Sequence, residues 1–360
     1  MTPSPPRRAG KTDRLVVLDG LRGVAAFAVI LDHVPSESLR ALLPGRYLAV
    51  DFFLVLSGLV LARAYGAQLD KPAMAWAFIK ARMIRLYPFY FVGLLFGLSV
   101  ATLLAYLQWS EYSYSGIAIS LAFGLLFLPD PATMHTDAET LFPLNPPAWT
   151  VFMELVVNIV YATTIRFLRQ NALILMLGIL GVVCALSIMS SEDLGPGWKW
   201  SHLQTGLIRV LFTFLMGVCL QRVLHHAKAF TVPAWIAFVL LVMIMAFPAS
   251  EPLRRPYDAL TAIVLMPALI FVSANARVSG FFSRLCIWLG AVSYGVYILH
   301  YPIYLGLNTV MAGLNIQVFG FITVVLTALI SAVTAQLVTT FFEEPVRKLL
   351  SRRFLPRIPR

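Results

Sequence analysis

The chain has 360 residues, of which 59% are hydrophobic and 12% charged, with a mean hydropathy of +0.80 and a formal net charge of +11. This balance excludes a soluble domain, and the expected fold class is an all-α polytopic membrane protein, with room for about ten spans of ~20 residues and no extra soluble domain. The basic residues fall in short runs between apolar spans, so they read as topogenic charge facing lipid headgroups, with no nucleic acid as partner.

The chain opens on a basic, Pro-rich tail over residues 1–14 that lacks the apolar core and small-residue cleavage site of a signal peptide. The expected membrane domain covers 15–345, and a second basic tail 346–360. Apolar runs long enough to cross fall at about 15–34, 48–65, 86–106, 148–168, 172–190, 206–223, 231–249, 257–275, 286–306 and 316–341. A further run, 116–128, is too short to cross and is expected to be re-entrant or half-spanning. Ten crossings place both termini in the cytoplasm. They leave 21 Lys and Arg residues inside against 5 outside, with Arg22 and Arg209 in the membrane, a bias that orients the protein. The loops 129–147 and 190–201 then face outward. Cys184, Cys219 and Cys286 are isolated in apolar segments and read as small hydrophobes.

The first span is the most informative. It carries Asp19, Arg22, Asp32 and His33 among Val, Ile, Leu, Ala and Phe. A charge at a helix centre costs roughly 2.5–3.5 kcal/mol on insertion scales, so these groups must face a bundle interior or a wet cavity. Asp19 and Arg22 are i,i+3 neighbours, and eleven residues separate Arg22 from His33, which at about 100° per residue returns to nearly the same face.

Later spans add polar groups. Asp51 lies near the outer end of the second span, where it suits either the site or a helix cap, and Ser57-Gly58 offers a small surface for close helix contact. Arg82 and Arg85 enter the third span from the cytoplasm, and their paired guanidinium forks suit phosphate, pyrophosphate or anionic lipid headgroups. Glu154 and Asn158 are i,i+4 partners on the fourth span. Ser293, Tyr297 and His300 share a face of the ninth. His33, His300, Glu154 and Asp51 are expected to meet in the outer half of the bundle, where two imidazoles and two carboxylates suit general acid–base chemistry. No metal-ligand spacing is present, and no metal is expected. The segment Glu343-Glu344-Pro-Val-Arg347 reads as a helix stop with ion pairing to the basic inner loops. His135, Asp137 and Glu139 read as solvated loop residues within reach of an acceptor.

Six motifs in order, covering about 15–347, resemble the acyltransferase-3 family of integral membrane O-acyltransferases, which modify bacterial surface and secreted carbohydrates. They are Leu18-Asp-Gly-Leu-Arg22 with His33 after it, Asp51-Phe-Phe-Leu-Val-Leu-Ser-Gly58, Arg82-x-x-Arg85-Leu-Tyr-Pro88, Pro147-Ala-Trp-Thr-Val-Phe-Met-Glu154, Ser293-Tyr-Gly-Val-Tyr-Ile-Leu-His300 and Glu344-Pro-Val-Arg347. Thr150-Val151 stands where Ser-Leu is commoner, and the soluble esterase-like domain fused to some relatives has no counterpart. The resemblance implies a bacterial inner-membrane enzyme. Its donor would be cytoplasmic acetyl-CoA or another acyl-CoA, and its acceptor a carbohydrate or glycan hydroxyl at the outer side. Arg22, His33, Arg82 and Arg85 would be functional. On this reading His33 is a general base or a transient acyl carrier, Arg22 stabilises the oxyanion, and Glu154 and His300 orient His33 or bind the acceptor. Asp19, Asp51, Asn158, Ser293 and Tyr297 complete the candidate set. The alternatives are a proton-coupled glycan transporter or flippase, for which no paired repeat is visible, and a non-catalytic scaffold, which would gain by replacing the charged motifs with Leu or Ala.

Overall fold

The computed structural model describes residues 15–34, 36–69, 72–131, 139–226, 231–316 and 320–355. The basic tail 1–14 and the loop candidates His135 and Asp137 lie outside the described residues. The first apolar run forms α1 (Val16–Ala28), which tightens into a 3-10 turn over Val29–Asp32. A one-turn helix α2 (Glu37–Arg40) and a 3-10 turn (Arg46–Leu48) lead into α3 (Ala49–Tyr65). The bundle continues with α4 (Pro72–Tyr106), α5 (Tyr114–Leu125), α6 (Ala148–Thr164), α7 (Gln170–Ser190), α8 (Leu203–His226) and α9 (Ala234–Ala246). It closes with α10 (Arg254–Leu260), α11 (Met266–Ala274), α12 (Gly280–Gly313), α13 (Gly320–Val338) and α14 (Glu344–Phe354). The described strands are two residues each, β1 (Val232–Pro233) and β2 (Ala276–Arg277), paired in parallel. The fold is all-α and multi-pass.

Eight helical stretches among the described residues are long and apolar enough to cross a membrane. Two of the ten expected spans fall short. The first holds 13 α-helical residues and a 4-residue 3-10 turn. The seventh, expected over 231–249, is reduced to the 13 residues of α9 by the β1 pairing that precedes it. At 1.5 Å per residue α9 is about 20 Å long, less than the ~30 Å hydrocarbon core. The 116–128 run forms the 12-residue α5, too short to cross, as expected. Its last carbonyls, at Gly124 and Leu125, accept from the Tyr90 and Tyr87 hydroxyls of α4 at 2.7 Å each, so a helix ending beside apolar neighbours still has its carbonyls met. The helix stop expected at Glu343-Glu344-Pro345 is not seen. A π-helical turn over Thr339–Glu343 absorbs an extra residue, and Pro345 then sits in the first turn of α14, where a missing N–H costs nothing.

Small residues set the helix spacing around the site. Gly58 of α3 faces Gly217 of α8, and a Cβ on Gly58 would run into the Phe214 carbonyl oxygen. Gly23 of α1 lies against the Leu289 backbone, and Gly290 of α12 against the Asp19 side chain. Backbones approach this closely only where no side chain intervenes, which replaces the hydrophobic drive that lipid cannot supply. The outer ends are joined by loops. Thr140 bridges Lys199, the Leu141 N–H donates to the Trp198 carbonyl at 3.0 Å, and the Trp200 N–H donates to the Glu139 carbonyl at 2.8 Å. The described parts of 129–147 and 190–201, expected on one side of the membrane, thus sit at one end of the bundle. Gly58→Val is expected to force α3 and α8 apart and to destabilise the fold by about 1–3 kcal/mol, read as a lower thermal midpoint in detergent with Ser57→Ala as the reference substitution.

Candidate active site

Two cavities lie inside the bundle between α1, α3, α4, α6 and α12. The first, of about 170 Å³, is lined by Arg22, Ser57, Arg82, Arg85, Glu154 and Tyr297 together with apolar residues of α3. The second, of about 380 Å³, is lined by Asp32, His33, Arg46, Trp149, Tyr301 and Tyr297, with the joined loops over it. Val50 and Tyr297 belong to both walls, so the cavities meet there. The Tyr297 hydroxyl lies 2.9 Å from Thr150 Oγ1, and its ring meets Phe53 edge-on.

In the first cavity every charged group is tied. Arg22 Nε donates to Ser293 Oγ at 2.9 Å and Nη2 to the Gly290 carbonyl, and Asp19 lies 3.4 Å from the guanidinium. Arg82 Nη2 donates to Glu154 Oε1 at 2.5 Å, and the Ser57 hydroxyl donates to the same oxygen at 2.6 Å. Arg85 and Arg347 both donate to Glu343 Oε1 at 2.8 Å, and Glu343 is buried between them. Arg82 and Arg85 therefore line one cavity but are held by different carboxylates rather than forming one open fork. Arg82 Nε remains buried with no hydrogen-bond partner among the described residues, a donor aimed at something the cavity admits.

His33 lines the second cavity, and His300 is buried against it. The His33 ring centre lies 5.0 Å from that of His300 and 4.8 Å from that of Tyr301. His300 Nδ1 is 2.7 Å from the Tyr297 carbonyl oxygen and 3.2 Å from that of Val296. Carbonyl oxygens only accept, so Nδ1 carries the hydrogen. His300 Nε2 is then a bare acceptor, buried and unpartnered among the described residues.

The geometry revises several expectations. Glu154 does not join His33. Arg82 and Ser57 hold it in the first cavity, and its expected partner Asn158 is fully buried with its amide unpartnered among the described residues. Asp51 lines neither cavity; it is fully buried and accepts from Arg209 Nε at 2.6 Å and Nη2 at 2.5 Å. Arg22 and His33 line different cavities, since eleven residues rise about 16 Å, and the 3-10 turn over Val29–Asp32 departs from the 100° spacing on which their shared face was expected. Arg22 thus cannot reach a carbonyl attacked beside His33. Of the four residues expected to meet, His33 and His300 do; Tyr297 lies beside His300, ring centres 5.9 Å apart, and Ser293 holds Arg22.

Residues 15–340 match the acyltransferase-3 family model, described as an acyltransferase domain. The chain belongs to this family. It is 39% identical over 194 residues to "Protein 2 in picA locus" of Rhizobium radiobacter, covering 51% of this chain and 96% of that one. It is 25% identical over 370 residues to a Bacillus subtilis protein named "Putative peptidoglycan O-acetyltransferase YrhL", covering 95% of this chain but only 56% of the longer relative. It is also 25% identical over 382 residues to "Acyltransferase MdmB" of Streptomyces mycarofaciens, covering 94% and 93% of the two chains. No solved structure matches.

Reading this family member's sequence alone gave no partner for Arg82, Arg85 or Arg209. Glu343 and Asp51 carried the signal, as intramembrane carboxylates that need a cation. The Asp32–Arg46 pair, at 2.8 Å, was visible only as two separate charges. Asp51→Ala leaves a buried guanidinium unpaired and is expected to cost about 3–5 kcal/mol. The check is the thermal midpoint of the purified acyltransferase-family protein, most of which Asp51→Ala/Arg209→Met should restore.

Proposed function

We propose that the protein is a membrane O-acyltransferase that moves an acyl group, acetyl in the first instance, from acyl-CoA to a hydroxyl of a carbohydrate on the other side of the membrane. The observation that carries this is the pair of adjacent cavities sharing Val50 and Tyr297, one lined by Arg22, Arg82 and Arg85 and the other by His33, with His300 buried against it. The donor would enter from the Arg85 side. There its phosphates compete with Glu154 and Glu343 for Arg82 and Arg85, and the unpartnered Arg82 Nε adds a donor. The flexible pantetheine arm would carry the thioester past Tyr297. The acceptor would enter from the side of the joined loops.

His33 is the base in this reading. His300 Nδ1 carries its hydrogen, and a neutral His33 has one ring N–H and one bare nitrogen, which can accept. It takes the proton of the acceptor hydroxyl as the oxygen bonds to the thioester carbonyl carbon. The tetrahedral intermediate collapses by breaking the carbon–sulfur bond, and the His33 imidazolium returns the proton to the leaving thiolate. Arg22, held on Ser293 and Gly290, serves the donor side, and the Tyr297 and Thr150 hydroxyls at the junction are the groups placed to meet the oxyanion. A transient acyl-histidine on His33 is the variant with two transfers. The charge bias and the shared side of the two outer loops support the cytoplasmic membrane of a bacterium, with both termini inside.

The test uses purified protein in lipid nanodiscs with acetyl-CoA, calorimetry for binding and free CoA for turnover. Arg82→Ala/Arg85→Ala is expected to lose donor binding. His33→Ala is expected to keep binding while transfer falls by about 10²–10⁴. Transfer unchanged in His33→Ala would remove His33 from the chemistry, and no binding of acetyl-CoA or of a panel of acyl-CoAs would favour a transporter.

A further inference from the structure

The second cavity has more guanidinium than carboxylate on its walls. Arg40, Arg46 and Arg209 line it, against Asp32. Arg209 is fully engaged by the buried Asp51 behind it. Arg46 is ion-paired to Asp32, but its other contacts, to the Arg40 and Leu43 carbonyls, are 3.4 Å long. The ion pair uses Arg46 Nε, 2.8 Å from Asp32 Oδ1, so the long contacts are those of the Nη1 edge. Arg40 has no ion pair and no side-chain hydrogen bond among the described residues, and Glu37, one turn earlier on the same short helix, lies outside ion-pair distance of it. Two carboxylates thus answer three guanidiniums, and the unanswered charge faces the space beside His33.

A cavity with an excess of positive charge on its walls concentrates counter-ions, and guanidinium forks favour planar or tetrahedral oxyanions. A neutral sugar can meet those N–H groups only with hydroxyl or amide oxygens, whose bonds to a guanidinium are weaker than an oxyanion's. We infer that the acceptor taken at the His33 cavity is anionic: a hydroxyl-bearing carbohydrate with a carboxylate or phosphate that docks on Arg40 and Arg46 while the hydroxyl reaches His33. This rests on the reading that transfer takes place at His33, and it narrows the acceptor from any glycan to an acidic one.

The test is ligand-observed NMR on the full chain in nanodiscs of neutral lipid. The three probes share one sugar ring: N-acetylglucosamine, N-acetylmuramic acid and N-acetylglucosamine 1-phosphate. At least one anionic probe is expected to bind about tenfold or more tightly than the neutral one, and the order of the two identifies the oxyanion. Arg40→Gln is expected to bring that preference to within about threefold, and Arg40→Lys, which keeps the charge but not the fork, to retain an intermediate preference. Equal or tighter binding of the neutral sugar, no binding of either anion, or a preference untouched by Arg40→Gln overturns the inference. Acetyl-CoA binding on the same preparations is independent of Arg40. Its loss would fail the donor reading, whereas its presence with no anionic preference fails only this one.

Discussion

A charge inside an apolar bundle has no water to fall back on, and this structure is organised around meeting that condition. Each intramembrane carboxylate has a guanidinium within reach: Asp51 with Arg209, Glu154 with Arg82, Glu343 with Arg85 and Arg347. These pairs join helices distant in sequence, α3 to α8, α4 to α6, and α4 to the turn before α14. Desolvation makes each pair of small net worth against an apolar substitute but costly to break singly. They therefore fix which helices are neighbours rather than adding much stability. The glycine contacts set how closely those neighbours approach.

The two classes of pair differ in what lies beside them. In Asp51–Arg209 the carboxylate is fully buried behind Arg209 and takes both its Nε and Nη2, so the pair acts as a tie. Glu154–Arg82 and Glu343–Arg85 border a cavity, so a ligand with stronger or better-placed oxyanions can compete for the same N–H groups. A site that must hold several negative charges but is often empty gains from such resident carboxylates, which keep the guanidiniums satisfied and pre-aimed. The histidines follow a different rule. Backbone carbonyls fix the hydrogen on His300 Nδ1, which leaves a bare Nε2 on the ring next to His33.

The positions of the spans, the half-length α5 and the shared side of the two outer loops were legible in hydropathy and charge bias. So were the residues of interest, because a charged or imidazole side chain in an apolar run stands out without any structure. Their pairing was not. Glu154 lies at the outer end of its helix in sequence and Arg82 near the inner end of its own, yet the continuous 35-residue α4 brings Arg82 to the level of Glu154. The spacing of Arg22 and His33 assumed one continuous α-helix and said nothing of depth; a 3-10 turn intervenes, and the two fall in different cavities. The helix stop at Pro345 failed because a π-helical turn admits the proline without breaking the chain's course.

The short helices have a consequence outside the protein. α9 turns Trp235, Val242 and Met243 outward, and α5 does the same with Tyr114 and Leu125, so both meet lipid along a girdle well under the usual hydrocarbon thickness. Adjoining lipids must shorten, tilt or let their headgroups sink there, at a fraction of a kcal/mol per ångström. The protein thus carries dimples in its lipid annulus beside long, full-height helices such as α4 and α12. Membrane thickness, set by acyl-chain length, becomes a variable to which this fold is mechanically coupled.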